Sequence, residues 1–343
     1  MLSFADVFTA PSCLLAGLVI TNAVFWPYFA GGSILLIGLV TLRMGERQQG
    51  PGFESLLPLG PVFVAVAMAI FGADHLTAAK FVAKIVPSWI PGQLFWAYFV
   101  GFALIAAALS LVTRVKWRLA AVLLGIMIFL FVLLIHIPSC FATPFDKTRL
   151  TIVLRDSALS AGILAFAVSQ SEPTALQATS GIHLDRFSFM LGPKLITVAR
   201  YLIAIVIGVF GIEQFMYPTF APGIPQEGPA FVTMPAWIPG HVFWAYLIGA
   251  IFIVCAIRLM SPRHAHFAAT LLGATVFVLV LSVYLPLTIL KASDIANGLN
   301  YLAIHIALSG VALLLARALP ANVADRSGVS EIQGVNLGSA RSS

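Results

Sequence analysis

The chain is organised around a ten-residue stretch, W-I-P-G-Q-L-F-W-A-Y at Trp89–Tyr98, which returns as W-I-P-G-H-V-F-W-A-Y at Trp237–Tyr246. Extended to Gly101 and Gly249, the two copies share nine of thirteen positions at a constant offset of 148. Such a match inside one chain indicates a duplicated unit. Each copy is typical of the start of a membrane helix, with tryptophan at the interface and proline in the first turn, where its missing N–H costs little. We therefore expect two copies of one membrane unit.

The composition requires a lipid environment. Of the 343 residues, 60% are hydrophobic and 9% are charged, and the mean hydropathy is +1.00. Soluble domains are about 45–50% apolar and about 25% charged, so these few charges would not cover a soluble surface. The sequence predicts an all-α polytopic membrane protein whose partner is the lipid bilayer. It contains no Lys/Arg-rich patch with interleaved aromatic residues, the pattern that would indicate a nucleic-acid partner.

Nine apolar runs predict two tandem four-helix transmembrane bundles plus one extra N-terminal transmembrane helix. The extra helix and its loop take residues 1–52, and this helix has no counterpart later in the chain. The first four-helix unit is 53–169 and the second is 187–319. The polar stretch 170–186 is the linker, and 320–343 is expected to be a disordered cytoplasmic tail. The spans are expected near 14–42, 58–76, 91–113, 118–138, 150–169, 194–216, 239–258, 264–288 and 298–318.

The distribution of basic residues predicts the orientation. With nine spans, thirteen of the nineteen Lys and Arg residues fall on one side of the membrane and six on the other. The positive-inside rule then places the N-terminus outside and the C-terminus in the cytoplasm. We interpret the protein as integral to a membrane of the bacterial inner-membrane type.

Ionisable side chains at membrane depth are the candidates for function, because they are costly there and need partners. In this topology they gather towards the non-cytoplasmic face. Two interpretations stay open: a shared polar pocket, or separate helix caps and headgroup pairs. The candidate pocket residues are Asp74, His75, His136, Arg155, Asp156, Glu213, Gln214, His241, Tyr284 and His305. The candidate aromatic wall is Trp96, Tyr98, Trp244 and Tyr246, which are also typical of membrane-interface anchors.

No catalytic residue and no metal site is assigned from the sequence. A metal site needs three or four converging ligands, and His75, His136 and Asp156 supply suitable residue types without a recognisable ligand spacing. Cys13 and Cys140 both fall near the outer interface, where a disulfide can persist, so their pairing stays open.

The outer loop after the first helix differs between the two units. It runs 17 residues from Gly72 to Trp89 in the first unit and 26 residues from Gly211 to Trp237 in the second. The nine additional residues are accompanied by several prolines, which stiffen a loop. We interpret the longer loop as a rigid lid or docking surface.

The two tandem four-span units resemble the DoxX-like membrane family. The residues that carry the resemblance are F-G-x-[D/E]-[H/Q] at Phe71–His75 and Phe210–Gln214, each followed by the W-I-P-G-x-x-F-W-A-Y stretch. The resemblance implies a four-helix-bundle fold for each unit. It departs from the family pattern in the second unit, where Gln214 stands in place of His and Tyr284 corresponds to His136.

Some members of the DoxX-like family are subunits of quinone-linked sulfur oxidoreductases, and others are assembly or trafficking factors. The resemblance therefore implies a membrane subunit associated with quinone-linked redox chemistry, with a quinone as the candidate cofactor and a redox partner subunit to carry electrons. Two alternatives remain: a binder or transporter of a small hydrophobic molecule, and a membrane assembly or scaffold factor. The sequence contains no flavin motif or haem-ligating histidine pair in facing helices, so an independent catalyst is not expected.

Overall fold

The structure of the protein is a computed structural model. The residues that it describes are 23–45, 52–143, 146–170, 184–224, 235–293 and 298–321, with the backbone alone for 184–191. Within these residues, nine helices are long and apolar enough to cross a membrane. The predicted all-α polytopic membrane fold is confirmed.

Seven of the nine helices begin and end within about four residues of the expected spans, whereas α6 begins ten residues earlier than expected and residues 14–22 of the first expected span lie outside the described residues. A 3-10 helix, Gly52–Leu59, leads into the second of them, and a single turn, Ala79–Val82, follows it. In chain order the helices are α1 Phe25–Gly45, α2 Gly60–Thr77, α3 Gln93–Thr113, α4 Trp117–Ala142, α5 Lys147–Ser169, α6 Leu184–Met216, α7 His241–Met260, α8 Ala265–Leu290 and α9 Leu299–Ala318.

The repeated W-I-P-G stretch builds the same helix start twice. Gly92 and Gly240 precede α3 and α7 with φ of 72° and 69°, a left-handed conformation that glycine adopts without a steric penalty. One turn further on, the indole N–H of Trp96 donates to the Pro91 carbonyl at 3.1 Å, and that of Trp244 donates to Pro239 at 3.0 Å. The W-I-P-G stretch thus starts a helix at the membrane interface through interactions between residues close in sequence.

Both α4 and α8 contain one wide π turn, at Val132–His136 and Val280–Tyr284. Each is followed two residues later by a proline, Pro138 or Pro286. Proline lacks an N–H and its ring clashes with the carbonyl four residues before it. The wide π turn accommodates the missing hydrogen bond and the clash of the proline ring. It also sets the direction of the side chains at its last residues, His136 and Tyr284.

The two sets of four helices are joined crosswise. Neighbours in sequence pack together within each set, from α2 to α5 and from α6 to α9. Between the sets, α2 packs along α9, α6 packs along α5, and α5 contacts α9 in the middle of the molecule. Gly60 and Gly310 allow the close approach of α2 to α9, since a Cβ on Gly60 would lie 3.3 Å from the Gly310 carbonyl oxygen. The last helix of each bundle therefore also packs against the first helix of the other.

Helix α1, which packs on α2 and α3, has a counterpart, contrary to the expectation from the sequence. It begins F-W-x-Y-F-x-G at Phe25–Gly31, the same pattern as Phe95–Gly101. The first two rings of the motif adopt one geometry in all three helices. Their centroid separations and interplanar angles are 5.4 Å and 78° in α1, 5.4 Å and 76° in α3, and 5.3 Å and 75° in α7. The first helix therefore starts as the second helix of each set does.

Replacing Gly72 by valine should destabilise the protein by about 2 kcal/mol, because α2 and α3 touch there backbone to backbone. A Cβ on Gly72 would lie 2.9 Å from the carbonyl oxygen of Gly101. The matched control is Gly32→Val in α1, where an added Cβ meets no atom of the described residues within 4 Å. Unfolding in detergent compares the two variants. Equal stability of both would contradict the close crossing.

Candidate functional site

The candidate polar residues lie at one end of the helical molecule, which we call the site end. Its described loop residues are 78–92, 143, 146, 217–224, 235–240, 291–293 and 298. The opposite end, with the described loop residues 114–116 and 261–264, is called the basic end. The hydrogen bonds and ion pairs of the described residues sort the candidate residues of the site end into three groups.

The first group is a charged cluster of Arg155, Asp156 and His136. Arg155 and Asp156 lie in α5, where Nε of Arg155 donates to Oδ1 of Asp156 at 2.7 Å. The other carboxylate oxygen, Oδ2, lies 3.1 Å from Nε2 of His136 at the end of the π turn in α4. The side chains of His136 and Asp156 are 21% and 12% exposed. This carboxylate is nearly buried and is held by two cationic or hydrogen-bonding partners, of which His136 is the more exposed.

The second group joins the two sets of helices at the site end. The amide of Asn300, in α9, donates to Oδ2 of Asp74, in α2, at 3.2 Å. The neighbouring His75 uses Nδ1 in a 2.7 Å contact with the Phe71 carbonyl, in which the ring nitrogen must be the donor. In the neutral ring this leaves Nε2 of His75 as an acceptor. Asp74 thus acts in helix pairing.

The third group lies in the second unit, and a segment of the protein's own chain covers it. Gln214, Tyr284 and His305 surround Ala221–Ile224, a buried segment of the loop after α6. The amide of Gln214 donates to the Gly223 carbonyl at 3.3 Å, and the Tyr284 hydroxyl donates to the Pro222 carbonyl at 2.9 Å.

His305 completes this closure. Its Nδ1 donates to the Tyr301 carbonyl at 2.8 Å, so Nε2 is free to accept the backbone N–H of Ile224 at 3.0 Å. The ring of His305 also stacks on Tyr284 with centroids 3.6 Å apart. We call Ala221–Ile224 the plug. Every polar atom it presents to these three side chains is a backbone atom.

The charged cluster and the plug site occupy corresponding positions in the two units. His136 matches Tyr284 at the end of the π turn, and Asp156 matches His305 on the last helix of the set. Tyr284 and His305 are 2% and 0% exposed beneath the plug, whereas the side chain of His136 is 21% exposed. The plug lies in the loop after α6, which is nine residues longer than the corresponding loop of the first unit. The site of the first unit is therefore charged and accessible, and that of the second is neutral and closed.

The charged cluster has the arrangement of a proton acceptor. A carboxylate that accepts the Nε2–H of an imidazole orients the ring and stabilises its protonated form. In the neutral ring, Nδ1 of His136 then carries the lone pair. Arg155 places a positive charge next to Asp156, with its Nε 2.7 Å from Oδ1. The cluster can thus take up a proton from a hydroxyl group that reaches His136.

Two further candidates lie beside the plug site and at a helix start. Glu213 is half-buried next to Gln214, and His241 is half-buried at the first residue of α7. Among the described residues His241 has no hydrogen bond or ion pair with the plug site. The residues of the predicted aromatic wall are exposed. Trp96, Tyr98, Trp244 and Tyr246 expose 40%, 42%, 41% and 41% of their surface.

Sequence reasoning missed the plug and Asn300. The Pro222-Gly223 pair was visible as a turn signal in the longer loop. A turn signal does not say that the turn is folded inward, because that depends on Gln214, Tyr284 and His305, which are distant in sequence. Asn300 was one unremarkable polar residue at a helix start.

Several further expectations fall partly or wholly outside the described residues. These are the pairing of Cys13, the tail beyond residue 321, most of the linker and the proline-rich part of the loop at 225–234. Cys140 and Cys255 are free thiols. Within the described part of the chain, no three His, Cys, Asp or Glu side chains come together as a metal ion would need.

Comparisons with protein-family models, with curated proteins and with solved structures gave no match to this chain.

Proposed function

We propose that this protein is a DoxX-like membrane subunit that binds a quinol at the charged cluster of its first unit. One observation carries the proposal: Nε2 of His136 lies 3.1 Å from an Asp156 oxygen, and the side chain of His136 remains 21% exposed at the site end. A quinol head group is flat and apolar with hydroxyl groups at its edge. It needs a proton acceptor at membrane depth, and ionisable residues there typically serve in proton transfer.

In this proposal, His136 receives the proton and the electrons leave the protein. The O–H bond of the quinol breaks, and its proton passes to Nδ1 of the His136 ring. The second proton leaves to the medium outside the membrane. The two electrons pass to a redox cofactor on a partner subunit, and the quinol becomes a quinone. Asp156 stabilises the protonated imidazole, and Arg155 holds Asp156 in position.

The proposed duplication is supported by features that recur at one spacing. The π turns, the left-handed glycines Gly92 and Gly240 and the indole hydrogen bonds of Trp96 and Trp244 all recur 148 residues apart. The second unit has lost the charges of the first and holds the plug instead. We therefore place the active site in the first unit alone.

We place the site end outside and the basic end in the cytoplasm of a bacterial inner membrane. The support is the thirteen-to-six distribution of Lys and Arg residues. In that orientation the protein has its N-terminus outside and its C-terminus in the cytoplasm. Protons from the quinol would leave on the outer side.

Quinone retention tests the proposal. The full-length protein, purified in mild detergent from membranes rich in quinone, should carry extractable quinone. His136→Gln should reduce the retained quinone about tenfold, because a hydrogen bond to a charged group contributes about 1.5 kcal/mol or more. The control is His264→Gln, a substitution of an exposed histidine at the basic end.

The results separate the candidate functions. Equal retention by the wild-type protein and His136→Gln would contradict quinol binding at this cluster. Retention that depends on His136, but without reduction of any added electron acceptor, would favour the alternative of a small-hydrophobe binder. Size-exclusion profiles of the two variants confirm that the comparison is made between folded proteins.

A further inference from the structure

His75, in α2, has a ring nitrogen that bonds to no residue of the described chain. Its Nδ1 donates to the Phe71 carbonyl at 2.7 Å, so Nε2 of the neutral ring is a hydrogen-bond acceptor. Among the described residues, nothing donates a hydrogen bond to this Nε2. The ring is partly buried at the site end. A polar atom in such a place is available to a ligand.

The helix crossings that position the site match between the two units. A Cβ added to Gly72 would lie 2.9 Å from the carbonyl oxygen of Gly101, and a Cβ added to Gly211 would lie 3.0 Å from that of Gly249. Between the third and fourth helices of each unit, a serine hydroxyl donates to a glycine carbonyl at 2.8 Å. These serine–glycine pairs are Ser160 with Gly125 and Ser309 with Gly273. Because the helices cross in the same way, side chains at corresponding positions have corresponding directions.

Three side chains of the second unit converge on the plug, and each has a counterpart in the first unit. The corresponding pairs are Gln214 with His75, Tyr284 with His136 and His305 with Asp156. In the second unit these side chains bind backbone atoms of three consecutive residues, Pro222, Gly223 and Ile224. Consecutive Cα atoms are about 3.8 Å apart, so the bound part of the plug is comparable in size with one small ring.

The loop of the first unit does not bind the corresponding side chains. Residues 78–92, the loop after α2, are described throughout, and they form no hydrogen bond with His75, His136 or Asp156. The side chain of His136 is 21% exposed. By the match between the units, His75 and His136 face one space, and the loop places no backbone group on their available nitrogens.

We propose that His75 is the second proton acceptor of the quinol site and holds the hydroxyl group that His136 does not reach. This inference rests on the proposed function, because it concerns the same ligand at the same site. A quinol carries two hydroxyl groups at opposite edges of one ring, and each requires an acceptor. Nδ1 of His136 accepts one hydroxyl, and Nε2 of His75 accepts the other.

The two acceptors account for both protons of the oxidation. Two electrons leave the quinol for the redox cofactor of the partner subunit, and both O–H bonds break. One proton passes to Nδ1 of His136, and the other passes to Nε2 of His75 and from there to the medium outside the membrane. Nδ1 of His75 donates to the Phe71 carbonyl in both states of the ring. Gln214, at the same position in the second unit, cannot take up a proton, in agreement with a site that the plug fills.

The test compares two ligands that differ in one hydroxyl group, tetramethylhydroquinone and its monomethyl ether. Equilibrium dialysis without oxygen measures their dissociation constants for the full-length protein in mild detergent. The wild-type protein should bind the diol roughly fivefold to tenfold more tightly than the ether, as one additional hydrogen bond provides. His75→Leu should abolish this preference, and His75→Phe, which keeps a ring, should do the same if the leucine variant does not fold. His264→Leu, at an exposed position of the basic end, should retain the preference.

The outcomes separate the role of His75 from quinol binding itself. Loss of the preference in His75→Leu, together with weaker binding of the diol by His136→Gln, supports both. If His136→Gln weakens the binding of the diol while His75→Leu keeps the wild-type preference, quinol binding stands and the role of His75 is overturned. Equal weakening of both ligands by His75→Leu, or a wild-type protein without a preference, also overturns it. If neither substitution changes the binding of the diol, both proposals are wrong.

Discussion

Asp156→Asn should lower the free energy of unfolding by about 3 kcal/mol, the lower part of the range for removing one partner of a buried ion pair. Asp156 is almost fully buried in α5, and its two oxygens are 2.7 Å from Nε of Arg155 and 3.1 Å from Nε2 of His136. Without the carboxylate charge, the guanidinium remains half-buried with no countercharge. Unfolding of the purified protein in detergent measures the loss.

The same helix supplies a matched control for Asp156. Asp146 pairs with Arg149 at 2.9 Å, but these side chains are 36% and 38% exposed. Such exposed pairs contribute less than about 1 kcal/mol. Asp146 also accepts the N–H of Arg149 as the N-cap of α5, and asparagine serves equally well as a cap. Asp146→Asn should therefore be nearly neutral, and an equal effect of both substitutions would contradict the buried cluster.

A double variant identifies the cause of the Asp156 effect. Arg155→Gln with Asp156→Asn removes the uncompensated charge together with its partner. The pair should be less destabilising than the sum of the single changes by about 1 kcal/mol or more. Additive effects would show that the two side chains do not interact, in conflict with the 2.7 Å contact.

Gly223→Val should expel the plug from the second unit and cost about 3 kcal/mol. Gly223 has φ of 136°, a conformation that a valine cannot adopt without strain. A Cβ there would also collide with the His305 ring and lie 3.2 Å from the Tyr284 hydroxyl. Crowding of a packed site adds about 1–3 kcal/mol to the strain. The hydrogen bonds of Gln214 and His305 to the plug would be lost together.

Cysteine labelling follows the plug directly. With the native cysteines replaced, a cysteine at Ala221, which is 7% exposed, should react slowly with a membrane-impermeant maleimide. Adding Gly223→Val should increase its reaction rate severalfold. The control is Gly208→Ala in α6, where the added Cβ makes an ordinary contact at 3.5 Å with Ala256. Unchanged labelling in the Gly223 variant would mean that the plug is held by something other than this fit.

The spans and helix starts were predictable because their signals are local. A run of apolar residues long enough for the bilayer and a W-I-P-G stretch such as Trp89–Gly92 are read within one turn or one helix. The third occurrence of the aromatic motif, at Phe25–Gly31, was equally visible in the sequence. It was missed because the W-I-P-G stretch does not precede it, and F-W-x-Y-F-x-G alone is short.

The partners of the polar residues were not predictable for a physical reason. A membrane helix is apolar on most of its faces, so periodicity does not say which neighbour it meets. One interpretation was that Asp74, His136 and Asp156 share one pocket. It assumed that residues at the same depth in the membrane also face one another. The structure pairs His136 with Asp156 and gives Asp74 to Asn300. The depth of each polar residue in the membrane could be predicted from the sequence, but the direction of its side chain around the helix axis could not.

The crosswise packing has a consequence for biosynthesis. Helix α2 is among the first to leave the ribosome, whereas α9, which packs along it, is the last. The side of α2 that contacts α9 therefore stays uncovered in the bilayer until translation ends. An insertion factor or chaperone that shields nascent membrane helices would find its client surface there. Ribosomes stalled before residue 299 should hold a chain whose early helices remain open to such a factor, and release of the final helix should close them.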